Sequence, residues 1–176
     1  MTLGTVATAA DLPPPDEEPT HSGWYIRGDL GGALSGAKQQ PGSEWAFALG
    51  AGIGYRVNET VRVDVTFDGA FDYDFGGAFG NNVNAYSVMG NIYIDLPLSP
   101  FIQPYIGGGI GWGEVDGGAF NTDDGVAAAA MAGLNFDVSS NTAIDVGYKF
   151  RYIGIDAGPV DYWIDHSFRA GVRYSF

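Results

Sequence analysis

The 176-residue chain lacks cysteine altogether and contains only two histidines and eight lysine or arginine residues. The absence of cysteine excludes disulfide bonds, thiolate metal sites and cysteine nucleophiles. No apolar run approaches the roughly 18 residues of a transmembrane helix, so no membrane-spanning helix is expected. The formal net charge of −13 argues against a nucleic-acid partner, because binding to phosphates requires a basic surface.

Glycine and aromatic residues, by contrast, are abundant, with 28 glycines and an aromatic content of 14%. Acidic disordered chains are poor in aromatic residues, so this chain is expected to fold, and its length suits one domain. Residues 1–10 are interpreted as a signal-peptide remnant, because Ala7-Thr8-Ala9 has the small-residue pattern of a signal-peptidase site. Residues 11–22 contain four prolines and four acidic residues, which predicts an extended, solvated leader before a folded domain over residues 23–176.

The dominant pattern after residue 23 is an alternation of apolar and polar residues with period two, which is typical of β-strands. Val63, Val65 and Phe67, for example, alternate with Asp64 and Thr66. Five strong and three weaker segments of this kind predict eight strands. Short connections at 57–60, 97–100 and 138–141 alternate with longer ones at 33–43, 74–83, 113–124 and 154–162. The chain is therefore predicted to be all-β, an eight-stranded antiparallel up-and-down barrel of the kind that crosses outer membranes.

Side-chain volume indicates which face of the strands points outward. The interior of an eight-stranded barrel is only just wide enough for side chains to fill. The apolar stripes carry large residues at most positions, whereas the polar stripes are mostly Gly, Ala, Ser and Asp with a few long cations. A soluble lipocalin-like barrel with the apolar face inside would be overfilled. The apolar face is therefore predicted to face lipid.

The polar stripes carry most of the basic residues and a matching number of aspartates. We predict that these side chains form a nearly neutral network of salt bridges in the lumen, because buried ion pairs need close, well-oriented partners. The remaining acids, including Asp165 where the last loop enters strand eight, are assigned to the leader, turns and loops. The predicted network consists of Arg27, Asp29, Arg56, Arg62, Asp64, Asp68, Asp72, Asp95, Asp137, Asp145, Lys149, Arg151, Arg169 and Arg173.

Aromatic residues tend to stand at the ends of the apolar stripes. Tryptophan and tyrosine favour the two membrane–water interfaces, so these side chains are predicted to mark the edges of the lipid-facing band. The predicted interface residues are Trp24, Tyr55, Tyr86, Trp112, Tyr152 and Tyr174.

Four segments carry a family resemblance: 9–13 (AADLP), 23–32 (GWYIRGDLGG), 104–109 (PYIGGG) and 166–176 (HSFRAGVRYSF). Together they resemble the porin-family outer-membrane β-barrel proteins of alphaproteobacteria, surface antigens related to the OmpA-like transmembrane domain. The resemblance implies an integral protein of a Gram-negative outer membrane, surrounded by lipid and lipopolysaccharide, with both termini in the periplasm. The terminal Tyr174 and Phe176 resemble the family's assembly signal, which implies periplasmic chaperones and the barrel-assembly machinery as partners during biogenesis.

No enzyme active site, cofactor or metal centre is expected from the sequence. His21 lies in the leader, and His166 and Ser167 are adjacent on a strand, so their side chains should point to opposite faces. Glycine strings such as 50–54 lack a phosphate-binding pattern and are interpreted as small strand positions. Acidic loops leave room for loosely bound divalent cations. Two functions remain open: a filled barrel that contributes to envelope integrity and surface properties, or a narrow channel for ions and very small solutes.

Overall fold

A computed structural model describes residues 23–35, 44–73, 83–99, 101–117, 122–157 and 160–176. Consecutive strands pair antiparallel, and the first strand also pairs with the last, which closes the sheet. The predicted eight-stranded antiparallel barrel is confirmed. The strands are β1 (Gly23–Ser35), β2 (Glu44–Arg56), β3 (Val61–Tyr73), β4 (Val83–Asp95), β5 (Ile102–Gly117), β6 (Asp123–Asp137), β7 (Thr142–Ala157) and β8 (Val160–Ser175). The predicted signal remnant and leader lie outside the described residues.

The register of the strands sets the size of the lumen. Trp24 of β1 pairs with a residue of β2, that residue pairs with one of β3, and so on around the barrel. The series of partners returns to β1 at Leu34, ten residues further along the strand. A shift of this size in an eight-stranded barrel goes with steeply tilted strands, at roughly 35–45° to the axis, and an interior that side chains can fill. Within the described residues, no helix is long and apolar enough to span a membrane.

The connections differ at the two ends of the barrel. The turns at 57–60 and 138–141 fall where the sequence predicts them, and the third covers 96–101. In the first turn, the Asn58 side chain accepts hydrogen bonds from the backbone N–H groups of Thr60 (2.9 Å) and Val61 (2.8 Å). Residues 23 and 176 lie at this end, because the Phe176 backbone N–H donates to the Trp24 carbonyl. We call it the turn end and the opposite one the loop end.

At the loop end the strands continue beyond their predicted limits. β5 extends to Gly117 and β7 to Ala157, although glycine, asparagine and aspartate in these segments predicted loops. Cross-strand hydrogen bonding to a long neighbour overrides the weak strand propensity of such residues. The loops are consequently shorter than the sequence suggests.

Side chains alternate between the lumen and the outside as the periodicity predicts. Large apolar residues such as Leu30, Val65 and Phe67 are more than half exposed on the outer surface. Among the side chains that the structure describes, the charged residues on the outer face of the strands are Glu114, Asp116 and Asp124, at the loop end. The outer surface below them is a continuous apolar band suited to lipid.

The lumen has two layers, of which the sequence predicts only one. Charged and hydrogen-bonding side chains fill it from the turn end to just beyond mid-height. Above them, small apolar residues surround the side chains of Ile153 and Trp163. This apolar layer comprises Ala33, Ala46, Ala48, Ala70, Val83, Ala85, Met89, Val115, Ala127, Ile153 and Trp163.

Candidate functional site: the barrel lumen

The turn-end part of the network is centred on Arg62 of β3, which is fully buried. Its Nε donates to both carboxylate oxygens of Asp95 on β4, at 3.0 and 2.8 Å. Its guanidinium carbon lies 4.4 Å from the ring centroid of Tyr93 and 5.0 Å from that of Tyr105. The charge is thus balanced on one side by a carboxylate and enclosed on the others by aromatic faces, which attract cations.

The next group lies above it, around Arg27 of β1. Arg27 makes a two-pronged contact with Asp29, Nε to Oδ2 at 3.0 Å and Nη2 to Oδ1 at 2.8 Å. Its Nη1 also donates to Asp64 of β3 at 3.3 Å. Asp64 accepts two further hydrogen bonds, from the Tyr25 hydroxyl (3.1 Å) and the Asn91 amide (2.7 Å). Two charge-assisted contacts from a planar guanidinium fix orientation as well as charge.

Asp68 of β3 connects opposite walls of the barrel. It accepts a hydrogen bond from Lys149 Nζ of β7 at 2.6 Å and pairs with the Arg169 guanidinium of β8. Thr66 adds a third hydrogen bond, from its hydroxyl to Asp68 Oδ2 at 2.9 Å. Asp68 is 2% exposed and both cations are buried, so one carboxylate holds two cations away from bulk water.

The uppermost ion pair contains an aspartate that the sequence assigns to a loop. Asp165 of β8 is fully buried, and its Oδ2 accepts from Arg151 Nε (2.8 Å) and Nη2 (2.6 Å). Arg151 Nη1 also donates to the Ser87 hydroxyl at 2.9 Å. The assignment of Asp165 to a loop is wrong because β8 begins at Val160, which places residue 165 on the inward face. Its alternation with Ser167 and Arg169 was the signal that could have identified it.

Three tyrosines, Tyr25, Tyr93 and Tyr105, also project into the lumen and are buried. Glycines on other strands make room for them: a Cβ at Gly54 would overlap the Tyr25 ring, and one at Gly147 the Tyr105 hydroxyl. The Tyr105 hydroxyl in turn donates to Asp145 Oδ1 at 2.8 Å. Much of the glycine content therefore serves close approach inside a narrow barrel.

Two further residues of the predicted network stand apart from these groups. Asp137 is half-buried and accepts a hydrogen bond from the Gln103 amide at 3.0 Å, a neutral partner. The side chain of Asp72 lies outside the described part of the structure. The remaining two arginines, Arg56 and Arg173, are buried at the turn end.

Little space remains between these side chains. One cavity beside Arg27, Asp68 and Asp145 has a volume of about 20 Å³, and another at the turn end is of the same size. Each is large enough for about one water molecule. Several buried polar atoms nearby have no protein partner, including Asp145 Oδ2 and Arg173 Nη2, and single waters are suited to satisfying them.

The aromatic residues predicted at the interfaces lie on the outer surface in two bands. Trp24, Tyr55 and Tyr174 lie near the turn end, with the Trp24 and Tyr55 ring centroids 5.5 Å apart. The other three stand toward the loop end, where the Trp112 indole N–H donates to Asp124 at 2.8 Å. The predicted assembly residues Tyr174 and Phe176 are also exposed on the outside. These positions are compatible with the roles at the membrane interfaces and in assembly, which stay predictions.

The barrel wall separates the side chains of His166 and Ser167. The His166 side chain is exposed on the outer face, where Nδ1 lies 2.5 Å from the Tyr148 hydroxyl, whereas Ser167 is buried in the lumen. The two therefore point to opposite sides of the barrel wall. Among the described residues, no group of three or more His, Asp or Glu side chains is arranged to hold a metal ion.

A closed eight-stranded barrel with an apolar outer band and a charged, filled lumen defines a class, the small transmembrane β-barrels. The sequence matches the family model of the outer membrane protein beta-barrel domain over residues 1–176, and the chain belongs to that family. Members of this family are barrels of the Gram-negative outer membrane, which confirms the resemblance seen in the sequence.

Individual relatives are distant. The chain is 26% identical to an uncharacterized protein of Brucella abortus, over 90% of this chain and 79% of the relative. It is 24% identical to a putative adhesin of Rickettsia prowazekii, over 86% of each chain. Among solved structures, Neisserial surface protein A matches with a TM-score of 0.74 and 23% identity, over 88% of this chain and 98% of that one. Ail of Yersinia pestis matches with a TM-score of 0.52 and 17% identity, over 88% and 99%. At these identities the structures establish the fold alone.

Proposed function

We propose that the chain is a non-enzymatic barrel whose lumen is filled, and that it contributes to the integrity and surface properties of the outer membrane. The observation that carries this proposal is the packing of the lumen. Seven basic side chains and six buried aspartates occupy it together with three tyrosines, and the cavities between them hold about one water each. A pore needs a continuous water-filled path, whereas in this interior salt bridges and hydrogen bonds connect opposite walls of the barrel.

The alternative is a narrow channel for ions or very small solutes, which planar-bilayer recording separates from a filled barrel. Refolded protein, shown to be closed by heat-modifiable migration on gels, should give no steady unit currents. An ion would have to cross both the salt-bridged layer and the apolar layer around Trp163, and apolar constrictions resist wetting. Reproducible steady unit currents at moderate voltage would overturn the filled-lumen proposal in favour of the channel.

The envelope role is tested in cells that lack this chain. They should take up more of a hydrophobic fluorescent dye such as N-phenylnaphthylamine than parental cells, because an outer membrane with fewer integral barrels is a weaker barrier. The wild-type chain should restore the barrier. A Val65→Arg chain should restore it less completely, because arginine at an outward position near the bilayer midplane destabilises the inserted barrel. Equal dye uptake with and without the chain would contradict the envelope role.

We further propose that the turn end faces the periplasm and the loop end faces outward. Short periplasmic turns and longer outer loops are the rule for outer-membrane barrels, and here residues 23 and 176 both lie at the turn end. In this orientation Glu114, Asp116 and Asp124 stand at the level of lipopolysaccharide headgroups. We also propose that divalent cations bridge these carboxylates to lipid phosphates. The barrel-assembly machinery and periplasmic chaperones are the proposed partners of the exposed Tyr174 and Phe176 during biogenesis.

A further inference from the structure

A groove crosses the lipid-facing wall of the barrel between β1 and β5. Its volume is about 660 Å³, and small-ligand sites have volumes of about 300–1,000 Å³. The floor is the backbone at four inward-facing positions, each the register partner of the next on the neighbouring strand: Gly54, Asp64, Asn91 and Gly109. The groove therefore runs across the strands rather than along them.

The walls of the groove are two rows of outward-facing residues. The row nearer the turn end consists of Trp24, Tyr55, Val63, Ile92 and Gly108, and the other row of Ile53, Val65, Gly90 and Ile110. Gly90 and Gly108 interrupt the two rows on β4 and β5 and widen the groove there. Because most of the lining side chains are aliphatic or aromatic, the groove suits an apolar ligand.

Gly90 and Gly108 are not required by the packing of the barrel itself. A Cβ would find its nearest non-adjacent neighbour 3.9 Å away at Gly90 and 3.8 Å away at Gly108, which are ordinary contacts. At the lumen glycine Gly54, by contrast, the Tyr25 ring occupies the space of a Cβ. Glycine weakens a strand and often marks a place where a ligand or another backbone approaches closely. On the outer wall such an approach comes from the membrane side.

The groove rises from the edge of the apolar band toward the middle of the membrane. From Trp24 to Gly108 it spans four strand spacings, or about 19 Å at about 4.8 Å each. With strands tilted by roughly 35–45°, a line across them climbs about 12 Å over this length, which is about half of the roughly 25 Å apolar band. The lower end lies beside Trp24 and Tyr55, and such rings favour the level of the lipid headgroups.

We propose that this groove holds one acyl chain of a phospholipid, whose headgroup lies beside Trp24 and Tyr55. A flexible chain can follow an inclined path from the headgroup level to the midplane. A second barrel fits less well, because barrels in one membrane have parallel axes and touch along a strip parallel to those axes, which the groove crosses. The choice of phospholipid over lipopolysaccharide rests on the proposed orientation, in which the turn end faces the periplasm. The site itself goes beyond the proposed function, since it lies on the outer wall.

Native mass spectrometry of the folded barrel in detergent with added palmitoyl-oleoyl phosphatidylethanolamine tests the proposal. The wild type should retain one phospholipid, and it should retain less lipid A from a parallel sample. Gly108→Leu places a side chain in the groove and should lose the phospholipid. Gly28→Leu is the matched control and should keep it, because Gly28 is another outward-facing glycine with space for a Cβ but does not line the groove.

Three results of this experiment would overturn the proposal: a wild type without bound phospholipid, equal retention by the two variants, or lipid A retained at least as well as phospholipid. Heat-modifiable migration checks that each variant is closed. Because the measurement is made in detergent, a wrong assignment of the periplasmic end would leave the retained phospholipid and its loss in Gly108→Leu unchanged.

Photolabelling of the wild type in phospholipid vesicles locates the chain without any substitution. A phospholipid with a diazirine near the end of its acyl chain should label β4 and β5 around Ile92 and Ile110. A diazirine beside the ester should label Trp24 and Tyr55 instead. A second groove of about 520 Å³, lined by outward residues of β7 and β8 among others, does not include the turn-end aromatic residues and should be labelled less. Equal labelling around the barrel would overturn the proposal.

Discussion

Replacing Asp68 by asparagine should lower the free energy of unfolding by about 3–5 kcal/mol, the range found when one partner of a buried ion pair is removed. Lys149 and Arg169 both depend on this carboxylate, and all three side chains are buried. Asparagine has nearly the same volume as aspartate, so the loss of stability measures the effect of removing the charge. Equilibrium urea unfolding of the barrel in lipid vesicles, followed by tryptophan fluorescence, measures it.

Two comparisons distinguish lost pairing from general disturbance. Asp137→Asn makes the same chemical change in a half-buried lumen residue whose partner is the neutral Gln103, and it should cost much less. Adding Lys149→Met to Asp68→Asn removes one of the stranded charges and should recover part of the stability. If Asp68→Asn lowered the free energy of unfolding no more than Asp137→Asn, the pairing of Asp68 with Lys149 and Arg169 would not stabilise the barrel.

Val65→Arg should cost about 2–4 kcal/mol in a bilayer, the penalty for arginine at the midplane of an outer-membrane barrel. Val65 is 53% exposed in the middle of β3, and its register partners Ile53 and Gly90 are exposed as well. The guanidinium cannot reach water there without deforming the lipid. Urea unfolding in vesicles of defined thickness gives the value.

Val57→Arg is the matched control for this substitution. Val57 lies in a tight turn and is exposed to the same degree, 50%, but at the edge of the barrel, where the penalty falls to about 0–1 kcal/mol. The difference between the two variants therefore measures depth in the membrane. Equal costs at both positions would mean that the apolar outer band is not buried in lipid as we infer.

The strands and their facing could be predicted from the sequence because both follow from local periodicity. The alternation of Val65 with Asp64 and Thr66 indicates which side chains share a face. The narrow interior of an eight-stranded barrel indicates which of the two faces points inward. The positions of the turns at 57–60 and 138–141 follow from the same pattern. These features depend on neighbouring residues only.

The pairing of charges could not be predicted in the same way. Asp68 and Lys149 are separated by 81 residues, and they meet because the register shift around the barrel brings β3 and β7 to the same height. Nothing in the period-two pattern encodes that shift. The apolar layer escaped prediction for a different reason: alanine is compatible with either face, so the alanines of β1 to β4 carried no signal until Ile153 and Trp163 were seen to pack among them.

The apolar layer also bears on how freely the surface of this protein can evolve. It closes the lumen with strand residues, so this seal belongs to the barrel wall. In the orientation that we propose, substitutions beyond the outer ends of the strands would therefore leave this seal intact. The outer surface of such a barrel could change in sequence while the wall and its filling stay the same.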